Sequence, residues 1–362
     1  MSDAEKVANE LMSLFLQKGN FAFAALGHGA GGKGFAPARA DGEIDSFFDD
    51  RGFHGLSVQS VGYSNGDRPR VVVYLTKGRS RDIEMEVQNK KLLVSLRRIG
   101  KMIINPEQAS SSTNQGKFFL HRNRIACGSS CAPTSETYSG TFGALVHKKG
   151  TPKDNMFILS NNHVLAACNH VPSGMPIMSP SSADGGKLLI APREIGRHAE
   201  ICTLQSGDPT FVNPCMEDLA IANVTDLARV TSWQGPLASE GGYDTPSKIA
   251  DIDFDMKVKK IGRTTGLTKG TVEVKLKPFP LPYKAKHFTA TVWFQDAWSI
   301  RGTGGDFALP GDSGSLVVRD DGEEAAVGMI FATSPYGETA VIPMKHIAVC
   351  FGGLMLVGSH GV

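Results

Sequence analysis

The chain has 362 residues, 41% of them hydrophobic, and its 38 Lys and Arg against 36 Asp and Glu give a formal charge of +2. That length and apolar fraction allow two domains with full cores. The balanced charge gives no electrostatic reason to expect nucleic acid or a membrane surface as partner, and no apolar run reaches the length of a spanning helix.

In chain order, residues 4–18 place Val7, Leu11, Leu14 and Phe15 at helical spacing, which predicts an amphipathic helix. Asp3, Glu5, Lys6 and Glu10 interrupt that stretch. A secretory leader needs a basic start and an unbroken apolar core, so this is not expected to be one. Residues 27–34 (Gly-His-Gly-Ala-Gly-Gly-Lys-Gly) look superficially like a phosphate loop. No Ser or Thr follows Lys33 and no clean strand precedes it, so a flexible linker is expected. Residues 55–63 and 70–76 read as strands joined by the turn Ser64-Asn65-Gly66-Asp67, and a further strand covers 91–97. The domain reading is therefore helix and Gly-rich linker over 1–42, then a small α+β accessory domain over 43–108.

Basic residues of the accessory domain (Arg68, Arg70, Lys77, Arg79, Arg81, Lys90, Lys91, Arg97, Arg98 and Lys101) outnumber its acids. A solvated face is the plain reading; a docking surface for an acidic partner or nucleic acid is the alternative. Aromatic interleaving for base stacking is absent, so nucleic acid is not an expected partner. Residues 109–115 (Ala-Ser-Ser-Ser-Thr-Asn-Gln) form a polar linker, and the second domain is placed at 116–362. There, short strands alternate with Gly, Pro and Asn turns. Strands are expected at 141–146, 156–159, 188–191, 219–224, 258–261, 271–276, 288–294, 315–318, 326–331 and 340–343, with a terminal helix at 346–356. So many short strands without long helices predict a mainly β chain of barrels or a sandwich.

Six cysteines are present: Cys127, Cys131, Cys168, Cys202, Cys215 and Cys350. The spacing of Cys127, Cys131, Cys168 and His170 does not suit zinc, and no metal or other cofactor is expected. Without a leader, free thiols in a cytoplasmic protein are expected.

The chemistry is concentrated in three segments. Residues 310–315 read Pro-Gly-Asp-Ser-Gly-Ser and run into Leu316, Val317 and Val318. Gly311 can turn its N–H toward a developing oxyanion beside that of Ser313. A serine needs a base, and the base needs an orienting acid. Residues 157–166 form an apolar strand that ends near His163, and Glu217 and Asp218 open the strand Leu-Ala-Ile-Ala. Alternation along that strand admits either acid.

The chain order His163, Asp218, Ser313 and these segments resemble the trypsin-like serine peptidases of the chymotrypsin superfamily. Residues 260–272 (Lys-Ile-Gly-Arg-Thr-Thr-Gly-Leu-Thr-Lys-Gly-Thr-Val) resemble the Gly-Arg-Thr-Thr-Gly hairpin of α-lytic-type enzymes. They are more similar still to intracellular bacterial and plant NARROW LEAF-like relatives, as is Ala183-Asp184-Gly185-Gly186. The resemblance covers 115–362, and 55–105 more loosely. It implies a chymotrypsin-like double β-barrel after the small α+β domain. It also implies a serine endopeptidase acting on proteins or peptides, with His163 as base, Asp218 as its acid, Ser313 as nucleophile and Gly311 and Ser313 as the oxyanion donors. An ion pair between Arg263 and Asp312 would anchor the nucleophile loop. Phe307, Ala308, Phe331, Ala332, Thr333 and Thr339 would wall the primary pocket. With no acid at Phe307 or Ala308, a small or apolar residue before the scissile bond is expected rather than Arg or Lys. Phe331 stands where secreted relatives usually carry a serine beside the triad acid. The N-terminal region would regulate access through a partner protein or self-association. The alternative is a catalytically silent scaffold on the protease fold.

Overall fold

A computed structural model describes residues 1–17, 19–21, 56–66, 69–87, 90–111, 116–152, 154–207 and 212–362. The Gly-rich stretch at 27–34, Asp67, Arg68 and residues 112–115 of the polar linker lie outside the described residues.

The chain is mainly β, with one closed six-stranded barrel and a second, curled sheet behind an N-terminal α+β unit. In the second barrel, Lys257–Gly262 pairs with Leu316–Arg319, which pairs with Ala326–Thr333, then Thr339–Pro343, Trp298–Gly302 and Gly266–Leu276. The last strand pairs back onto the first, so six strands close a ring. Closure leaves no free edge within the ring. Val258, Val272, Ile300, Phe307, Val317, Ile330 and Val341 fill it.

In the first barrel the order is Ala144–Lys148, Met156–Ser160, Ala220–Val224, Arg193–Ile201, Pro176–Ser179 and Ser130–Pro133. Phe142 bonds back to Gly128 (2.7 Å) and Ser129 (2.9 Å), which curls the sheet round on itself. A larger core spans the junction: Leu159, Leu219 and Ile221 of the first barrel meet Leu316, Met329 and Phe331 of the second.

The N-terminal unit is joined to this frame by backbone pairing. Val58–Ser64 pairs antiparallel with Gly266–Leu276, so the second barrel's sheet continues through Arg70–Leu75 and Lys90–Arg98 to Arg81–Val87. The helix Asp3–Gln17 lays Val7, Leu11, Leu14 and Phe15 on Val58, Val71 and Val73. The division of 1–42 from 43–108 is therefore corrected, because helix and sheet share one core. The strand at 81–87 was missed, although Ile83, Met85 and Val87 alternate with Asp82, Glu84 and Glu86.

Three other expectations fail for local reasons. The strand expected at 188–191 is replaced by the helix Ser182–Leu188, which the Ser181 hydroxyl caps by accepting from the Asp184 N–H. The strand Phe279–Ala285 was missed because Pro280 and Pro282 read as strand breakers; one of its edges pairs with Phe288–Phe294. The expected terminal helix stops at Val349, and Leu354–Leu356 joins the first barrel beside Ala144–Lys148.

Two of the basic residues read as a solvated face are instead engaged across the seam. Arg70 (2.8 Å) and Arg97 (2.5 Å) grip Glu273 of the second barrel. The Tyr74 hydroxyl donates to Glu338 at 2.7 Å. Burial and the neighbouring Glu273 push the Glu338 carboxyl up to about 7. The arginines hold Glu273 below the usual range against the opposing effect of burial. A carboxyl raised in the folded state stabilises the fold while protonated, and that contribution is lost as pH rises through about 7. Glu273 has the opposite sign and acts only at acid pH. Wild-type melting temperature should therefore fall between about pH 5 and 8 from this cause, and Glu338→Gln should flatten that decline. Thermal melts of both proteins across the window check this.

Candidate active site

Strand pairing brings His163 and Asp218 together. Ser160 lies opposite Ala220 in the antiparallel pair. His163 follows the end of one strand and Asp218 precedes the start of the other, so both emerge at the same rim. The short helix Asn162–Leu165 then turns the imidazole inward. His163 Nδ1 lies 2.6 Å from Asp218 Oδ2, and the His163 N–H donates to Oδ1 at 3.1 Å. Asn161 Nδ2 fixes the Asp218 backbone carbonyl at 2.8 Å. The carboxylate is fully buried.

Glu217 turns elsewhere. Its carboxylate lies with the Cys202 and Cys350 thiols, ligand atoms within 4.8 Å of one another, a donor set that could hold a metal ion. Burial raises the Glu217 carboxyl. The set weighed in sequence is not assembled: Cys127 and Cys131 are buried in the first barrel's core and Cys168 in the junction core.

A second donor to Asp218 was not seen in sequence. The Tyr283 hydroxyl, on the proline-rich strand Phe279–Ala285, donates to Oδ2 at 2.8 Å. Burial and Asp218 push this phenol well above its usual range, so it stays protonated. The departure at Phe331 could have prompted a search for such a donor, but nothing near Tyr283 in sequence singles it out.

The loop that carries Ser313 sits where the barrels meet. Gly311 has φ +100° and Gly314 φ +93°. A Cβ at Gly314 would lie 2.1 Å from Ser160 Oγ, so only glycine fits there. Thr141 of the first barrel stitches the loop from below, its N–H donating to the Ser313 carbonyl (2.9 Å) and its hydroxyl to that of Gly311 (2.8 Å). Among the described residues the Gly311 and Ser313 N–H groups have no protein acceptor, which leaves both available to an oxyanion. Ser313 Oγ donates to the Phe331 carbonyl at 3.4 Å and makes no hydrogen bond to His163. Both line one small cavity of about 30 Å³.

The expected Arg263–Asp312 pair is corrected. Arg263 grips Asp184 with Nε (2.7 Å) and Nη2, which anchors the second barrel to the Ser182–Leu188 helix. Burial would raise the Asp184 carboxyl; Arg263 and the Ser130 hydroxyl (2.5 Å) outweigh it and hold it low. The cation for Asp312 is Lys260, 3.4 Å away and fully buried. Burial lowers the Lys260 ammonium, opposed by Asp312. Four donors complete the Asp312 carboxylate: Thr264 N (2.8 Å), Thr265 N (3.1 Å), Thr265 Oγ1 (2.8 Å) and Leu309 N (3.0 Å). Arg263 sits past the strand end, in the turn, and points across to the first barrel; Lys260, inside the strand, is the cation that reaches the loop.

Of the six pocket residues, Ala332 and Thr333 line the cavity at Ser313. Phe307 and Ala308 belong to the second barrel's core, Phe331 packs on Phe294 with centroids 4.8 Å apart, and Thr339 is buried. Sequence missed the opposite wall: Ile103, Ile104, Asn105 and Pro106 arrive from the accessory region, and Tyr138 and Ser139 from the first barrel. A larger cavity of about 570 Å³ lies at the accessory seam, between Arg97, Arg98, Arg301 and Tyr336, away from the triad residues.

No protein-family model matches the chain, and no curated protein matches it. Among solved structures it is similar to Thermobifida fusca Protease A at 17% identity, over 65% of this chain and 100% of that one, with TM-score 0.42. It is also similar to a glutamic-acid-specific serine protease at 17% identity, over 64% and 100%, with TM-score 0.40. Cellulomonas bogoriensis chymotrypsin shares 15% identity over 65% and 98%, with TM-score 0.41.

The two buried ion pairs can be tested apart. Arg263→Met should orphan Asp184 and cost about 3–5 kcal/mol of stability. In double-mutant cycles, Arg263→Met should couple to Asp184→Asn, and Lys260→Met to Asp312→Asn, each by about 0.5–3 kcal/mol. Denaturant titrations of the single and double variants supply the numbers.

Proposed function

We propose that the protein is a serine endopeptidase working through His163, Asp218 and Ser313. The observation that carries this reading is the buried His163–Asp218 hydrogen bond of 2.6 Å in a cavity that Ser313 also lines. The unbonded Gly311 and Ser313 amides support it. Ser313 turns from the Phe331 carbonyl to His163 when substrate enters; catalytic hydrogen bonds commonly tighten only in the complex. His163 takes the hydroxyl proton, the serine oxygen adds to the peptide carbonyl, and the oxyanion forms at Gly311 and Ser313. His163 then gives its proton to the leaving amine, and water repeats the cycle on the acyl-enzyme. Asp218 holds the tautomer and offsets the imidazolium charge.

The preferred residue before the scissile bond is small or apolar, since the primary wall at Ala332 and Thr333 offers no charge. The chain fits best beside NARROW LEAF-like relatives, on its Gly-Arg-Thr-Thr-Gly turn. A reducing, cytoplasmic setting suits the six free thiols. The N-terminal region regulates the cleft, because Ile103–Pro106 form part of its wall.

A fluorophosphonate probe decides between enzyme and scaffold. It should label wild-type protein at Ser313; a folded protein that is not labelled is the silent scaffold. Ser313→Ala and His163→Ala should each remove nearly all turnover of a peptide library, because the triad acts as a unit. Asp218→Asn should be severe and Glu217→Gln mild in the same assay.

A further inference from the structure

Tyr283 is fully buried and its one polar atom is aimed at Asp218 Oδ2. The same oxygen faces His163 Nδ1, so two donors meet on Oδ2 and the His163 amide holds Oδ1. Three donors from two elements leave the carboxylate one orientation. The phenol ring cannot swing away. It lies edge-on to His163 (6.3 Å, 72°) and Phe288 (5.7 Å, 80°), and stacks on Phe294 (6.3 Å).

What holds the strand of Tyr283 is equally specific. One edge pairs with Phe288–Phe294. On the other edge, Ile104 brackets Tyr283: its N–H donates to the Pro282 carbonyl (2.9 Å) and its carbonyl accepts from the Lys284 N–H (2.8 Å). Upstream, the Met102 N–H is held by Gln59 Oε1 (3.1 Å) of the accessory sheet. The accessory region thus reaches the triad acid through two backbone hydrogen bonds and one phenol.

We propose that Tyr283 is a positioning residue for the His163–Asp218 pair, and that the accessory region sets its place through Ile104. This rests on the serine-peptidase reading. It gives regulation a route: pulling residues 102–105 off the strand edge loosens Tyr283 and then the carboxylate, while docking them restores both.

The phenol hydrogen draws charge from Oδ2. Without it, the carboxylate attracts the imidazolium more strongly, so the acid limb of the pH profile moves to higher pH, and turnover falls as the carboxylate loses its orientation. The other titratable groups around this carboxylate are the Cys168 and Cys215 thiols, raised by burial, the Cys202 thiol, raised by Cys350 and by burial, and Glu217. Glu107 and Glu136 act on Cys168 from further out.

The test is Tyr283→Phe, which removes one oxygen from a packed ring. With a fluorogenic peptide, kcat should fall roughly tenfold or more with KM little changed, and the acid limb of kcat/KM should shift upward. The His163 ring proton, followed by NMR over pH, should titrate at higher pH; this readout needs no activity. Ile104→Pro, which removes the N–H given to Pro282, should shift both in the same direction by less. Ile104→Gly, which loosens the segment, replaces it if Ile104→Pro does not fold. Unchanged kcat, pH profile and His163 titration in Tyr283→Phe overturn the proposal. A shift in Tyr283→Phe with none in a folded Ile104 variant overturns the accessory-region half. A wild-type protein inert to fluorophosphonate, whose His163 titration still moves on Tyr283→Phe, overturns the peptidase reading and leaves the positioning role standing.

Discussion

The Asp218 carboxylate is the constraint on which the site is built. An ionised carboxylate taken out of water needs donors or a cation, or it costs several kcal/mol. Here no arginine or lysine supplies the balance. A histidine ring, a histidine amide and a tyrosine hydroxyl do so. Each comes from a different structural obligation. The ring and amide come from the turn after Met156–Ser160, and the phenol from an excursion between two strands of the other barrel. The first barrel alone would leave Oδ2 short of a donor, so the barrels are joined through this carboxylate as well as through apolar contact.

The loop that carries Ser313 solves the same problem with lysine. Asp312 is fully buried, and its charge is answered by Lys260 from within the closed ring. A fixed internal cation makes the loop's shape a property of the folded chain. Arg263 is then available to hold Asp184, and two fully buried pairs stand side by side at the barrel junction. Removing one member strands a charge, whereas the intact pair contributes modestly. These pairs therefore act more as specifiers of how the barrels meet than as sources of net stability, and the apolar junction core supplies most of the adhesion.

What could be read from sequence divides along physical lines. His163, Asp218 and Ser313 sit in short segments whose neighbours declare the local backbone: an apolar strand, an alternating strand and a glycine-flanked turn. The mainly β class followed from the frequency of turns. Tyr283 was hidden because its strand carries proline at 280 and 282, a pattern that argues against a strand unless one edge is bonded through carbonyls. That is how Pro280 and Pro282 are used, accepting from Gln59 (3.0 Å) and Ile104 (2.9 Å). Lys260 lost to Arg263 in the sequence reading because a guanidinium suits a carboxylate fork. Chemistry alone could not say which of two nearby carboxylates each cation would meet.

The residues at 103–106 show the remaining limit. Nothing in Ile-Ile-Asn-Pro marks a catalytic wall, and the segment precedes the polar linker taken as the domain boundary. Its role exists only because Val58–Ser64 extends the barrel's sheet, which carries Ile104 to an edge that the prolines left open to a carbonyl-bonding partner. Docking of the accessory unit and completion of the cleft are thus one event. The unit has its own apolar core around the Asp3–Gln17 helix, yet its charged residues Arg70 and Arg97 find their carboxylate, among the described residues, in Glu273 of the second barrel. Separated, those charges would return to water and Glu273 would keep Arg301 of its own barrel, 3.4 Å away. The seam is apolar as well as polar, since Val72, Tyr74, Ile99, Met102 and Ile104 share one core with Val274, Leu276 and Tyr283, so the accessory unit cannot leave without opening that interior.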